Sequence, residues 1–337
     1  MFSNIQMLRA IAAAMVFFFH AAQHYQALGG QSHLFFNLAS FGFSGVDIFF
    51  VISGFVVAHT TLGNTRTLGN AMSFAKRRLM RIYLGYWPFF ALTLVTAYMY
   101  EPAVQADQQF LLSFLLATID AKGMVLFVSW SLTFEAIFYA LVTATFGVAE
   151  EPFKRMVQAT GICIFLVLVW TYPKPHSLPV MFASFLFEFI VGMTIYIHKD
   201  HLVKRWLIAP LAAVAIIAWL MGWHLHATND SVRTFTFGTG AAALVMLVLV
   251  LEQSKTALAN RFLVALGNSS YTLYLAHPLL LSIFYFWGIR DFLAMQSPLI
   301  REAGFFLYLA LCIGICQILY ELLERPLYRW AVSRKTF

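Results

Sequence analysis

Phe41-Gly42-Phe43-Ser44-Gly45-Val46-Asp47-Ile48-Phe49-Phe50-Val51-Ile52-Ser53-Gly54-Phe55 is the centre of an apolar stretch, residues 37–59, that carries one carboxylate. A bilayer core of roughly 30 Å needs about 20 apolar residues in helical form, and this stretch meets that length. An ionised side chain within such a helix costs about 3 kcal/mol on insertion scales, so Asp47 calls for a partner or a task.

Outward from this run the same pattern repeats along the chain. Apolar stretches at 5–28, 82–100, 125–147, 157–172, 180–198, 206–224, 234–251, 268–288 and 300–322 also meet or approach the spanning length. A run at 110–119 is too short to span and reads as re-entrant or interfacial. The expected fold is an all-α integral membrane protein of ten transmembrane helices and that one short segment. No polar linker interrupts the series, so residues 1–337 read as a single membrane domain with no soluble appendage. Composition agrees: 61% of the 337 residues are hydrophobic and 11% charged, against roughly 45–50% and 25% in soluble proteins.

The net charge of +7 would suit nucleic acid in a soluble protein. Here the basic residues cluster in the segments between apolar blocks, so orientation explains them and no nucleic-acid partner is expected. With both termini inside, sixteen Lys and Arg fall on the inner side, including Arg66, Lys76, Arg77, Arg78, Arg81, Lys255, Arg334 and Lys335. Five fall outside, namely Lys122, Lys174, Arg233, Arg290 and Arg301, with Arg9 inside the first helix. The three cysteines, Cys163, Cys312 and Cys316, lie within apolar blocks and read as packing residues. The N-terminal block has no basic leader or cleavage site and reads as retained.

Four ionisable residues inside the apolar blocks stand out: Arg9, His20, Asp47 and Glu135. Arg9 and His20 are eleven residues apart, which returns a helix to within about 20° of the same face. Alone, Arg9 would read as a snorkelling side chain and His20 as an interhelical hydrogen-bonding group. Counted along their helices, Asp47, Glu135 and His277 each lie about 15 Å in, close to mid-membrane. Carboxylate–histidine pairs can simply lock helices together, but several titratable groups at one depth point to chemistry. Lys76, Arg77, Arg78 and Arg81 form a basic cluster just before the third helix, in a long inner loop, 60–81. Orientation and anionic lipid account for its charge, while Arg78 and Arg81 have the spacing and the planar forks to hold phosphate. Gly54 would admit a slender chain close to the backbone, or another helix.

Taken in order, these residues resemble the membrane-bound acyltransferase-3 family. The resemblance spans nearly the whole chain. It rests on Arg9 and His20 with ten residues between, Gly45-Val46-Asp47 running into Phe49-Phe50-Val51, Ser53-Gly54-Phe55, and Arg78-x-x-Arg81. It continues with Trp130-Ser131-Leu132 leading to Glu135 and Tyr139, Leu266-Gly267-x-x-Ser270-Tyr271 leading to Tyr274 and His277, and Glu324-Arg325-Pro326. Within the family the chain resembles the bacterial exopolysaccharide O-acetyltransferases.

The resemblance implies ten helices, transfer to a hydroxyl, and acetyl-CoA or another acyl-CoA as donor substrate with no permanently bound cofactor and no metal. It implies a multi-pass protein of the bacterial inner membrane that meets acyl-CoA, a saccharide acceptor and membrane lipid. Carried to this sequence, His20 is the general base, since histidine titrates near the operating pH. Glu135 is the first choice to orient it and Asp47 the second, with Arg9 facing donor phosphate or oxyanion. Lys76, Arg77, Arg78, Arg81, Ser53, Gly54 and Phe55 fall to the acyl-CoA. Trp130, Ser131, Tyr139, Tyr271, Tyr274 and His277 fall to the acceptor or the tunnel.

His24, His33, His176, His198, His201, His224 and His226 have no common spacing and read as hydrated surface residues. The rival class is a proton-coupled transporter, whose proton relays also use buried histidines and carboxylates. It would call for inverted repeats or paired broken helices, and neither is detected in the sequence.

Overall fold

The computed structural model describes residues 2–30, 32–100, 109–171, 177–225, 230–254, 256, 258 and 260–333. Lys174, Lys255, Arg334 and Lys335 of the charge count, with His176 and His226, lie outside the described residues.

The chain runs through α1 (Ser3–Ala27), α2 (His33–Ala39), α3 (Gly45–Thr61), α4 (Leu68–Tyr100), α5 (Phe110–Phe114), α6 (Trp130–Ala144), α7 (Glu150–Thr171) and α8 (Leu178–Ile197). It continues with α9 (Lys199–Leu202), α10 (Ile208–His224), α11 (Asp230–Arg233), α12 (Thr239–Gln253), α13 (Arg261–Asn268), α14 (Ser270–Phe286), α15 (Ile289–Ala294), α16 (Pro298–Leu319) and α17 (Arg325–Ser333). No strand occurs among the described residues. Nine helical segments of the described residues are long and apolar enough to cross a membrane, so this is a multi-pass membrane protein. The tenth expected stretch, 268–288, is realised as α14, 17 residues long, or about 26 Å.

Two boundaries differ from the sequence expectation. The stretch 37–59 is not one helix: α2 ends at Ala39 and a tight turn at Gly42–Ser44 leads into α3. A Cβ on Gly42 would lie 2.0 Å from the Met15 carbonyl oxygen, so α1 presses on the backbone at the break. Asp47 therefore sits in the first turn of α3. The basic cluster is not in a loop. α4 begins at Leu68, where Thr67 Oγ1 accepts from the Asn70 N–H at 3.3 Å, and Lys76, Arg77, Arg78 and Arg81 are helical. Hydropathy marks only the apolar part of a helix, whereas Lys, Arg, Met and Leu all favour the helical backbone. At 33 residues α4 is about 50 Å long, well beyond a hydrocarbon core.

The described residues form two compact units whose segments alternate along the chain. The first comprises Met1–Ala12, Ser44–Lys76 and Ile137–Gly267, and the second Ala13–Phe43, Arg77–Ala136 and Asn268–Phe337.

In the first unit, α3 and α8 cross through a pair of reciprocal glycines. A Cβ on Gly54 would meet the Phe189 carbonyl oxygen at 1.9 Å, and one on Gly192 would meet that of Val51 at 2.0 Å. Small residues at such a crossing let two backbones touch, which drives helix association where lipid offers no hydrophobic gain. Glu252 caps α1, accepting from the N–H groups of Ser3 at 3.0 Å and Asn4 at 2.7 Å. Outer helices keep apolar side chains exposed, as Ile162, Leu166 and Trp170 of α7 do, in keeping with a lipid solvent.

In the second unit, the expected short segment is the five-residue α5, too short to span. Its terminal carbonyls are satisfied by aromatic donors of α4: Tyr86 to Ser113 at 2.8 Å, Trp87 to Phe114 at 3.3 Å and Tyr83 to Leu115 at 2.7 Å. Cys312 and Cys316 are buried on α16, while Cys163 on α7 is exposed rather than packed.

Candidate active site

In the second unit α1 meets α14, and the residue that meets His20 is His277. Their rings stack at 5.0 Å with 25° between planes, and His20 Nδ1 lies 2.9 Å from His277 Nε2. The tautomers follow from the surroundings. His277 Nδ1 is 3.1 Å from the Leu273 carbonyl, which only accepts, so that nitrogen carries hydrogen. In the neutral ring Nε2 is then an acceptor, and His20 Nδ1 must donate to it. The neutral His20 ring keeps its lone pair on Nε2. His277 is completely buried and His20 half-buried, so only the His277 ring is fully shielded.

Pro278 follows His277 inside α14. Lacking an N–H, it leaves the Tyr274 carbonyl without its usual helical donor. Aromatic edges frame the pair, Phe127 and Phe19 each 5.1 Å from the His20 ring and Phe17 6.1 Å from that of His277.

One turn back on α14, the Tyr274 hydroxyl donates to the Val128 carbonyl at 2.9 Å and accepts from Ser131 at 2.8 Å. Tyr271 donates to the Ile82 carbonyl at 2.9 Å, and a Cβ on Gly85 would meet its ring at 2.2 Å. The α14 block is thereby held to α4, beside Arg81. Thr272 donates to Glu324, which ties the same block to the Glu324-Arg325-Pro326 element at the start of α17. Trp130 and Glu135 lie half-buried on α6. On α4, Arg78 and Arg81 are half-buried and Arg77 is exposed. The second unit thus holds His20, His277, Glu135, Trp130, Ser131, Tyr271, Tyr274, Arg77, Arg78 and Arg81 of the expected set.

The first unit holds Arg9, Asp47, Ser53, Gly54, Phe55, Lys76 and Tyr139. Asp47, fully buried, is gripped by a guanidinium fork. Arg233 Nε lies 3.0 and 3.2 Å from its two oxygens, and Nη2 is 2.8 Å from Oδ2. Arg233 also sits over the Phe185 ring at 5.1 Å. The charge count had put Arg233 in an outer loop, but it ends α11 and leads into a wide π-turn at Thr234–Gly238.

Beside this pair is Glu188 of α8, 1% exposed, with no hydrogen-bond partner on either carboxylate oxygen. A Cβ on Gly238 would lie 2.8 Å from Glu188 Oε1, so glycine in the π-turn makes room for the carboxyl group. Glu188 was missed from sequence, although it is a carboxylate inside the 180–198 stretch and the cost that singled out Asp47 applies to it equally.

Gly54 lies against α8, as described above, so its missing Cβ serves helix packing. Phe55 is fully buried, Ser53 half-buried and Lys76 exposed. Tyr139 is buried against Phe74, ring centres 6.1 Å apart. Arg9 is half-buried, with Nη1 3.5 Å from Gln6 Oε1. His24, expected at a hydrated surface, is half-buried with its Nδ1 shielded; its position one turn beyond His20 was the signal that could have found it.

A family model described as an acyltransferase domain matches residues 2–321. The chain is similar to the exopolysaccharide production protein ExoZ of Rhizobium meliloti (strain 1021), with 27% identity over 318 residues, 87% of this chain and 92% of the relative. No solved structure matches the chain.

Proposed function

The chain belongs to the acyltransferase-3 family, and on that premise we propose that it transfers an acetyl group from acetyl-CoA to a hydroxyl of an exported saccharide, with His20 as general base. The hydrogen bond between His20 Nδ1 and His277 Nε2 carries this reading, because it leaves His20 Nε2 basic. The similarity to an exopolysaccharide production protein supports a saccharide acceptor.

As the acceptor oxygen attacks the thioester carbonyl, His20 Nε2 takes its proton. The carbon–sulfur bond then breaks, and the departing thiolate receives that proton from Nε2, so both histidines return neutral. While His20 is cationic, His277 Nε2 accepts its Nδ1–H, and the Leu273 carbonyl holds the His277 ring in the required tautomer. Arg78 and Arg81 hold the phosphates of the donor. The protein acts in the bacterial inner membrane with both termini in the cytoplasm, where acetyl-CoA is found.

The test is release of free CoA from acetyl-CoA by purified protein supplied with exopolysaccharide oligosaccharides. Wild-type protein releases CoA only with acceptor, and His20→Ala lowers kcat by about 10²–10⁴-fold, the usual worth of general-base catalysis. A His20→Ala protein that folds and retains a tenth of wild-type activity would sink the assignment.

A further inference from the structure

One turn beyond His20 on α1, about 6 Å along the axis, His24 packs on Tyr285 with ring centres 5.0 Å apart. Arg290 of α15 places its guanidinium over the same tyrosine, 5.5 Å from the ring centre. Tyr285 therefore ties an imidazole and a guanidinium to one spot, and all three residues belong to the second unit. Two polar atoms there are shielded from solvent and have no hydrogen-bond partner, His24 Nδ1 and Arg290 Nε. Shielded polar atoms of this kind carry a desolvation cost unless a ligand meets them.

The neighbouring carboxylates do not balance the charge. Glu302 is engaged by the Tyr25 hydroxyl. Asp291 approaches Arg290 Nη1 only at 3.4 Å and its side chain is 72% exposed, so water screens it. Arg301 of α16 bonds the Ala294 and Gln296 carbonyls, each at 3.2 Å, and adds further positive charge.

The geometry points to His24, Tyr285 and Arg290 as a subsite for a carboxylate-bearing sugar of the acceptor. The subsite rests on the acetyl-transfer reading above, since it lies on the His20 face of α1 and names the class of saccharide that would reach His20. The carboxylate meets the guanidinium of Arg290, a sugar hydroxyl meets His24 Nδ1, and Tyr285 fixes the distance between the two. A uronate has both groups on one ring.

Binding is measured by isothermal titration on full-length protein in a neutral detergent, without donor, using cellobiose and its counterpart ending in glucuronate. Wild-type protein is expected to bind the uronate about tenfold more tightly or better, the effect of a hydrogen bond to a charged group. Arg290→Gln loses that preference and Arg290→Lys keeps part of it. His24→Phe weakens both sugars by roughly fivefold, the worth of one neutral hydrogen bond.

Equal affinity of wild-type protein for the two sugars overturns the subsite without recourse to any variant. An intact preference in Arg290→Gln, or unchanged binding in His24→Phe, also overturns it as a three-residue site. Displacement of the uronate by equimolar phosphatidylglycerol overturns it in favour of a lipid headgroup. Uronate preference in a protein that transfers no acetyl group retains the subsite and refutes the catalytic reading; transfer without preference does the reverse.

Discussion

His20 Nδ1 donates to His277 Nε2 across 2.9 Å, so the imidazole expected to act as base is steadied by a second imidazole. A neutral histidine differs from a carboxylate here: it orients the ring and accepts its hydrogen but adds no negative charge.

His277→Ala removes one hydrogen bond to a transiently charged group, worth about 1.5–3 kcal/mol. The expected loss in kcat is roughly ten- to hundredfold, smaller than for His20→Ala, with KM for acetyl-CoA unchanged. His277→Gln, whose amide oxygen can accept from His20, recovers part of the rate. Steady-state kinetics of the two variants measure this, and an Ala variant equal to wild type would remove His277 from the mechanism.

The buried cluster of Asp47, Arg233 and Glu188 predicts an asymmetric response to charge removal. Arg233→Gln leaves two buried carboxylates facing each other and is expected to destabilise the protein by about 3–5 kcal/mol. Asp47→Asn costs less, because Glu188 remains beside Arg233 as a substitute partner. Glu188→Gln costs least of the three, because it removes one buried carboxyl group and leaves the Asp47–Arg233 pair intact. Thermal unfolding midpoints in detergent rank the three, and equal losses for Arg233→Gln and Asp47→Asn would contradict the order.

Replacing Arg78 or Arg81 by lysine keeps the charge and the helix but removes the planar fork. Affinity for acetyl-CoA is expected to fall by about 1.5–3 kcal/mol, measured by isothermal titration of the purified variants. Unchanged affinity in both would reduce the cluster to a determinant of orientation.

Single cysteines introduced in the α1–α2 connection and after α17 test the topology. An impermeant maleimide added to intact cells is expected to label the first and to reach the second only after lysis. Labelling of both in intact cells would refute the inward placement of the C-terminus.

Several residues of the candidate site could be picked out one by one before any geometry was known. The cost of an ionisable group in an apolar helix singled out His20 and Asp47, and depth counting brought His277 into the same layer. The partners were not legible. Asp47 was weighed as the group that orients His20, whereas its carboxylate is held by Arg233, a residue the charge count had assigned to a loop. Arg233 escaped notice because it stands at the edge of an apolar run, where charge is cheap to place, yet in the fold it faces the buried Asp47. Gly54 read equally well as room for a ligand or for a helix, and the Phe189 carbonyl occupies the space.

Composition and hydrophobic length alone determined that this protein is an all-helical membrane protein, because lipid leaves a backbone no other way to satisfy its polar groups among runs of this kind. Family motifs in fixed order determined its chemical class. What tertiary structure decided is which polar side chain answers which. The His20–His277 pair joins residues 257 positions apart and the Asp47–Arg233 pair residues 186 apart. Periodicity within a helix relates only near neighbours in the chain, and no spacing rule reaches across such separations. There the choice falls to helix packing, where a missing Cβ or a wide turn moves a side chain by the few ångströms that separate one hydrogen-bond partner from another.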